Sequence, residues 1–499
     1  MCIRIFTKAR WTASGSAVVF ALIITSAVAV LFTSILIFIT AQIRNASYAV
    51  GGEQAFQIAE SGINYYKWYL AHGTDGRTAQ QVQAFWGAAE GVGTPYEIEY
   101  SDPSGGPVGR YRIEVSPPDP GSTIAWITST GWTYKFPNQK RVVRVRFRRP
   151  SWSESAVLGN AFIRFGDGTE VHGKIFSNQG IRFDGLAHNV VSSAVASVVD
   201  PDHGGGSEFG VHTHANPPPA SGVNDTFRTT EAPPRVVPTR TDVFEAGRVF
   251  PVTTVDFNGV IGDLGLMKTQ AQGGGGVYFD NSNYGRRIIL KTNGTFDICK
   301  VKSYDSATGV IANNSGYAQN TGNGSCSSCG SNNCTQNYTI PQNGVIFVED
   351  NIWLSGQVSG KKVTVVSANL TGSGSNPSVF IPNDIRYTNY NGSDIIGVIG
   401  QQDVEIPLDS ESDLRIDAAL IAQQGRVGRA NYGMSDHKNV ITVFGAIATN
   451  QRYGFAWTNG SLDWGYTTRN LYYDNNLMYY PPPYFPTGTQ YFVDLWEEQ

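Results

Sequence analysis

The sequence predicts a mainly β protein with one long N-terminal transmembrane α-helix. Three observations predict this fold class. Residues 16–39 carry no charge, residues 96–148 alternate between apolar and polar side chains, and short apolar runs recur between residues 153 and 450. We expect the helix to pack on a small antiparallel sheet, and a right-handed β-helix-like β-solenoid to follow.

The apolar run SAVVFALIITSAVAVLFTSILIFI occupies residues 16–39 and contains no proline or glycine. As a helix rising about 1.5 Å per residue it would span roughly 36 Å, enough to cross a hydrocarbon core of about 30 Å. Backbone amides in lipid must be satisfied within the segment, so this run should be helical. Arg4, Lys8 and Arg10 precede it and only Arg44 follows closely, which predicts a cytoplasmic N-terminus and an external remainder.

The helical pattern continues beyond the apolar run, through residue 74. Small and apolar side chains recur there at three- and four-residue spacing, at Ala55, Ile58, Ala59, Gly62, Ile63, Tyr66 and Leu70. This spacing predicts an amphipathic second half that lies outside the membrane. We expect a break between the two halves at Gly51 and Gly52.

The basic leader that ends at Gly15, the apolar helix and the segment EQAFQIAESGIN at residues 53–64 together resemble the N-terminus of type IV pilin-like proteins, specifically the PilX-type minor pilins. The resemblance implies cleavage by prepilin peptidase between Gly15 and Ser16. It also implies that the helix packs first in the membrane and then among other pilin subunits in a filament. The residues expected to contribute to this helix packing are Phe20, Glu53 and Glu60.

Phe20 departs from the pattern of major pilins, which carry glutamate at the fifth mature position. Some minor pilins and pseudopilins also lack this glutamate, and in those families the departure fits a position at the filament tip. The alternative interpretation of residues 1–39 is an uncleaved single-span anchor. A secretory signal peptide is disfavoured because its apolar region is usually about 7–15 residues long.

Residues 75–152 are predicted to complete a pilin-like unit. After a short helix and loop, four β-like runs follow, in YEIEY, RYRIEV, STIAWITSTGW and RVVRVRFR. Their alternation indicates strands with one buried face, and the stripe in residues 55–70 is the expected partner of that face. Arg144, Arg146 and Arg148 should then line a solvated face, the alternative being a surface that binds DNA or anionic lipid.

The remaining chain divides into four segments. Residues 153–200 and 341–450 carry short apolar runs separated by turn residues, which favours a β-solenoid over the alternative, a β-sandwich of many short strands. These runs also resemble β-rich regions that follow PilX-like N-termini. Residues 201–340 are expected to be a loop-rich, partner-facing insertion. Residues 451–499 are expected to form an aromatic and proline-rich strap over an open solenoid edge, ending in a strand; the alternative is an exposed glycan-binding patch.

The composition indicates an extracellular, turn-rich protein. Charged residues make up 16% of the chain against a typical value of about 25%, and 56 residues are glycine. The net charge of −4 gives no indication of specific nucleic-acid binding. Outside the leader the cysteines are Cys299, Cys326, Cys329 and Cys334, for which two disulfides of unknown connectivity are the first interpretation and a zinc site or free thiols are the alternatives.

Two clusters of candidate catalytic or metal-ligating residues occur. His212 and His214, with His203 and Glu208 nearby, are residue types that bind metals, but their glycine- and proline-rich context argues for a solvated loop, so no metal is predicted. The second cluster is acidic, at Asp409, Glu411, Asp413 and Asp417. Paired carboxylates cleave glycosidic bonds, but a solvated turn is the expected structure there.

The sequence therefore favours a non-enzymatic protein without a cofactor. We expect a minor pilin-like subunit of a type IV pilus or pseudopilus, a single-pass protein of the cytoplasmic membrane whose β-rich region is displayed outside for assembly or adhesion. Its expected partners are other pilin subunits, prepilin peptidase, membrane lipid along residues 16–39 and a surface glycan or protein ligand. The alternatives are a membrane-tethered β-helix enzyme acting on polysaccharide and a plain surface-anchored binding protein.

Overall fold

The computed structural model describes residues 14–93, 96–119, 122–257, 260–273, 275–281, 283–319, 332–372, 374–459, 463–488 and 490–499. The protein is mainly β, with one long N-terminal apolar helix. The helices are α1 Ser14–Thr74, α2 Ala79–Gly87, α3 Ala89–Val92 and α4 Val260–Gly273, and 3₁₀ turns occupy Trp152–Glu154, Thr229–Glu231 and Asn475–Met478.

The strands fall into two groups along the chain. Those of the N-terminal half are β1 Tyr96–Ser101, β2 Pro107–Ser116, β3 Ile124–Thr133, β4 Arg141–Arg148, β5 Val157–Gly159, β6 Ile163–Phe165, β7 Thr169–His172, β8 Ile175–Ser177, β9 Ile181–Phe183, β10 Leu186–Ala187, β11 Val191–Ser193, β12 Ser197–Val198, β13 Glu208–Phe209, β14 Val211–His212 and β15 Arg248–Val249. Those of the C-terminal half are β16 Val277–Phe279, β17 Gly285–Leu290, β18 Thr295–Val301, β19 Cys334–Thr339, β20 Val345–Val348, β21 Ile352–Val358, β22 Lys362–Ser367, β23 Val379–Phe380, β24 Ile385–Tyr387, β25 Ile395–Gly400, β26 Val404–Ile406, β27 Asp413–Ala422, β28 Val427–Arg429, β29 His437–Thr449, β30 Ala456–Thr458, β31 Asp463–Tyr473 and β32 Phe492–Glu498.

Helix α1 runs unbroken for 61 residues, so the break predicted at Gly51 and Gly52 is wrong. Gly51 instead allows a close approach between the helix and the β3–β4 connection. A Cβ atom built on Gly51 would overlap the ring of Phe136, and the same ring lies 5.1 Å from that of Tyr48. The glycine therefore serves packing rather than bending.

The small sheet is antiparallel, with the strand order β1-β2-β3-β4-β32, and α1 packs across β2, β3 and β4. The alternating apolar residues of these strands meet the stripe on α1, as the sequence predicts. The buried core between helix and sheet consists of Ile58, Ala59, Ile63, Tyr66, Leu70, Phe85, Tyr111, Ile113, Ala125, Ile127, Val143, Val145 and Phe147.

The last strand, β32, pairs antiparallel with β4, with Val493 opposite Phe147. The C-terminal strap therefore ends in a strand, as predicted, but this strand extends the small sheet and does not cover a solenoid edge. Before it, the proline-rich segment lies flat on the large sheet, where a Cβ on Gly397 would meet Pro482 and Phe485. The aromatic and proline side chains of this segment therefore contact a face of the large sheet rather than one of its edges.

The large sheet has 22 strands, and one ladder of parallel pairs runs through it in the order β16, β20, β22, β25, β27, β29, β5, β8, β11 and β15. The pairing of Ile447 on β29 with Val157 on β5 joins the segments 153–200 and 341–450 in one continuous stack. Parallel pairing at every step buries apolar side chains of each strand against those of the next.

The segment 201–340 supplies strands to both ends of this ladder, because β15 and β16 are its terminal members. Between them, α4 packs Leu264, Met267 and Ala271 against the outer apolar face of the ladder, beside Val345 and Phe347. The connection thus runs along the outside of the stack.

Candidate functional site

The first half of α1 presents an apolar surface that no other described part of the chain covers. Val18, Leu31 and Ile37 are between 62% and 67% exposed. By length and composition α1 qualifies as a membrane-crossing helix, since its most apolar window has a mean hydropathy of 2.7 and none of that window is buried in the described part of the chain. A continuous apolar surface of this length is typical of a segment surrounded by lipid or by other helices.

The polar side chains inside this apolar segment bond to the helix itself. The hydroxyl of Thr25 donates to the carbonyl oxygen of Ala21 at 2.8 Å, and that of Ser34 donates to Val30 at 2.8 Å. A hydroxyl that bonds to a carbonyl one turn earlier needs no water. The segment is therefore suited to an apolar surrounding along its whole length.

The residues predicted for processing and helix packing all lie on α1. Gly15 and Ser16 belong to its N-terminal turn, and Phe20 is 64% exposed. Glu53 is exposed and Glu60 is half-buried, in the part of α1 whose stripe faces the sheet. The structure thus places these residues along one helix, and their roles in processing and packing remain predictions.

The arginine row on β4 is not the free solvated face that the sequence predicts. Arg146 donates to Asp494 of β32 at 2.8 Å, and Arg148 donates to the same carboxylate at 3.1 Å. Arg144 lies 3.9 Å above the ring of Trp126. The C-terminal strand and the neighbouring tryptophan therefore occupy the groups that could have bound an anionic ligand.

The cysteines form one disulfide within the described residues, between Cys299 on β18 and Cys334 on β19. These two strands pair antiparallel, and the two cysteines are partners in that register. Cys326 and Cys329 lie outside the described residues, so the predicted second disulfide remains a prediction.

The carboxylates of Glu411, Asp413 and Asp417 in the acidic cluster have separate partners. Asp417 is fully buried and accepts from Arg415 at 2.8 Å and from the Tyr390 hydroxyl at 2.6 Å. Glu411 accepts from Asn383, and Asp413 accepts from Asn439. The cluster is consequently a set of structural contacts, and the buried Asp417 corrects its prediction as a solvated turn.

The histidine cluster lies in a folded frame, and its prediction as a solvated loop is wrong. Strand β13, which begins with Glu208, pairs with β12, and β14, which ends with His212, pairs in parallel with β9. The backbone N–H of His214 donates to Asp184 at 2.7 Å. Short strands on both sides therefore fix the backbone that carries these side chains.

Five side chains converge in this frame: Asp200, His203, Glu208, His212 and His214. Their side chains are between 0% and 6% exposed. One ligand atom from each of four of them, all except His212, lies within 4.8 Å of the other three. The Nε2 atom of His212 is buried without a hydrogen-bond partner and lies 3.6 Å from Asp200 and 3.5 Å from Glu208.

The Nδ1 atoms of all three histidines face backbone carbonyl oxygens. The distances are 3.0 Å from His203 to Gly204, 2.9 Å from His212 to Phe209 and 2.6 Å from His214 to Asn224. A carbonyl oxygen only accepts, so each Nδ1 must carry a proton. In a neutral ring this leaves a lone pair on each Nε2, directed into the cluster.

The two carboxyl groups of the cluster are ionised. Burial raises the pKa of Asp200, but the N–H of Asp202 and the charge of Arg182 act in the opposite direction, and the pKa lies well below its usual range. Burial likewise raises the pKa of Glu208, and contacts with His214 and the N–H of Arg228 lower it further than burial raises it. The cluster therefore combines anionic oxygen donors with imidazole nitrogens, which are the ligands that bind transition metals.

Sequence reasoning named three histidines and Glu208 but missed Asp200, and it discounted the group because of its glycines. One signal was available in the spacing, because five side chains that can bind a metal occur within residues 200–214. A second signal was the alternation of polar and apolar residues at 208–209 and 211–212, on either side of Gly210, which indicates two short strands.

Comparisons with known proteins identify no family, since no protein-family model and no curated protein matches the chain. Among solved structures, the chain is similar to the crystal structure of the competence-associated pilin ComZ from Thermus thermophilus. The sequence identity is 13%, the match covers 90% of this chain and 97% of that chain, and the TM-score is 0.28.

Proposed function

We propose that this chain is a pilus-related subunit, a PilX-type minor pilin-like protein, whose N-terminal helix packs in the membrane and then in a filament. The observation that carries the proposal is the division of α1 into two halves. The first half exposes an apolar surface, and the second half forms the core of the small sheet through Ile58, Ile63 and Tyr66. One helix thereby joins an apolar environment to a folded external unit.

This arrangement explains why the helix does not stop at the end of its apolar run. A plain anchor needs only about 20 apolar residues. Here the helix continues into a core with Tyr66 fully buried, so the orientation of the external unit is fixed relative to the apolar half. A rigid connection of this kind suits a subunit whose helix must pack among neighbouring helices in a defined register.

The β-rich remainder is the part that the proposal displays outside the membrane. The continuous parallel ladder supports a β-solenoid, and we propose the right-handed form because crossover connections between parallel strands are almost always right-handed. Its surface would serve assembly or adhesion through a glycan or protein ligand, without catalysis or a cofactor. A density map that resolves the path of the strands would test the solenoid and its hand.

The experiment that tests the proposed function is N-terminal sequencing of the protein from the membrane and surface fractions of its own host. We expect a mature chain that begins at Ser16, produced by prepilin peptidase. A Gly15→Val variant should keep the leader and disappear from the surface filament fraction, whereas a Gly106→Ala variant should be processed normally. An intact leader on the wild-type chain would contradict the proposal and favour a plain anchor.

A further inference from the structure

The cluster at residues 200–214 directs imidazole nitrogens and carboxylate oxygens at one another. With each Nδ1 proton committed to a carbonyl, the Nε2 atoms of His203 and His214 face each other at 3.3 Å. The same two atoms lie 3.2 Å from the carboxylate of Glu208. Lone pairs at these distances repel one another in a buried site, unless a positive charge lies between them.

The distances fit a shared metal ion. A tetrahedral ion with bonds of about 2.05 Å to nitrogen and oxygen separates its ligands by about 3.3 Å. The separations among Asp200, His203, Glu208 and His214 include values of 3.2, 3.3 and 3.9 Å. Ligand atoms are thus spaced as they would be around one ion.

The charges around the cluster also favour a bound cation. Ion pairs connect it to a network of three arginines and five carboxylates, which carries two more negative charges than positive ones. The members are Arg164, Arg182, Arg452, Asp184, Asp200, Asp202, Asp225 and Glu208. A divalent cation would neutralise this excess.

We propose that Asp200, His203, Glu208 and His214 bind one divalent transition-metal ion, with His212 directed at the same site as a further nitrogen donor. Three imidazoles and two carboxylates are a donor set suited to zinc and its first-row neighbours rather than to calcium or magnesium. The burial of every donor makes the site closed, which is typical of a structural ion rather than a catalytic one.

The role of the ion follows from the segments that the donors join. Asp200 and His203 belong to the turn after β12, Glu208 begins β13, and His214 follows β14. This stretch contains few large apolar side chains, and a bound ion would hold its turns together as a disulfide does elsewhere. The site also reaches residues 224–228, through the carbonyl of Asn224 and the N–H of Arg228.

The other explanation of the geometry is a network of protonated histidines that pair with Asp200 and Glu208 without a metal. Metal analysis separates the two. The full chain, purified in detergent, is stripped with EDTA, reloaded with Zn²⁺ or Co²⁺, and freed of excess ion before the metal per chain is counted. We expect one equivalent at this site, and the Co²⁺ form should show the intense visible absorption of a site with fewer than six ligands.

Variants assign the ion to the cluster. After excess ion is removed, His203→Gln and Glu208→Gln should each retain one equivalent of metal less than the wild type. Their Kd for the ion should be more than about 100-fold higher, since even residues that contact a metal ligand indirectly contribute about 10- to 100-fold to metal affinity. The matched control is His188→Ala, in the separate surface group of Glu170, His172 and His188, which should keep the equivalent.

A measurement on the wild-type chain covers the case in which the variants do not fold. Removal of the ion should speed hydrogen exchange at least tenfold in peptides from residues 197–216 and leave residues 55–70 unchanged. The proposal is overturned if the reloaded wild type holds no metal, if His188→Ala rather than His203→Gln removes it, or if exchange in 197–216 does not respond to EDTA.

Discussion

Replacing Gly131 by alanine should loosen α1 from the small sheet, because Gly131 is where strand β3 touches the helix backbone. A Cβ atom built there would overlap the carbonyl oxygen of Ala55 and the amide nitrogen of Ala59. Both are backbone atoms, which cannot rotate aside as the end of a side chain can. The helix must therefore move away from the sheet to accept a single methyl group.

The magnitude follows from what that movement disturbs. Overpacking in a core costs about 1–3 kcal/mol, and the contact with backbone places this substitution near the upper end, at about 2–3 kcal/mol. Ile58 and Ala59, at 1% and 0% exposure, would lose contact with the sheet at the same time. A loss of this size raises the population of the locally opened state about 30- to 150-fold.

Hydrogen exchange of the full chain in detergent measures this opening directly. Peptides from residues 55–70 should exchange about 30- to 150-fold faster in Gly131→Ala than in the wild type. The control is Gly106→Ala, since a Cβ there meets nothing within 4 Å. If Gly131→Ala exchanges at the wild-type rate in residues 55–70, the close approach of helix and strand is not as described.

Three further outcomes are expected. Burial raises the pKa of Asp263 from 3.8 to about 7, so the folded chain holds a proton that the unfolded chain releases, and stability falls as the pH rises from about 4 to 7. Asp263→Asn should therefore raise the melting temperature at pH 8 but not at pH 4; an equal effect at both would contradict this reasoning. Asp436→Ala should lower the free energy of unfolding by about 3 kcal/mol in denaturant titration. The buried, charged guanidinium of Arg429 would lose its carboxylate partner. Peptide mapping without reduction should recover Cys299 linked to Cys334, and recovery of either as a free thiol would count against the disulfide.

The parts of the fold that repeat at short range could be predicted from the sequence. The stripe from Ala55 to Leu70 and the alternation at Val143, Val145 and Phe147 both become the core between helix and sheet. The repeat of apolar residues, every 3.6 residues in a helix or every second residue in a strand, is a local property of the sequence. It determines which face of the element is apolar, independently of the element that packs against that face.

The predictions that are wrong depend on contacts between distant parts of the chain. Gly51 and Gly52 suggest a bend by local propensity alone, but Phe136 fills the space that Gly51 leaves. His212 and His214 lie in a glycine-rich stretch, which by itself has no frame, yet pairing of β14 with β9 places His212 opposite Arg182 and buries it. Neither Phe136 nor Arg182 can be identified as a partner from the residues that neighbour Gly51 or His212 in the sequence.

The pairing of β4 with β32 connects these observations, because it joins strands that lie far apart along the chain. Arg146 meets Asp494, 348 residues later, and Ser151 forms a bridge with Thr487 where the chain leaves the small sheet and returns to it. In the sequence, the whole parallel ladder thus lies between β4 and β32, which are neighbouring strands of the small sheet. Without β32, β4 would be an open edge of the small sheet.

An open edge invites pairing with other chains, and a row of like charges opposes such pairing. Arg144, Arg146 and Arg148 form such a row on β4, and the carboxylate of Asp494 on β32 forms ion pairs with Arg146 and Arg148. Trp496 of the same strand then stacks edge-on against Phe56 of α1, at 5.7 Å between ring centres. Strand β32 therefore contacts both α1 and β4, and the packing of the helix on the small sheet includes a segment that follows the whole parallel ladder in the chain.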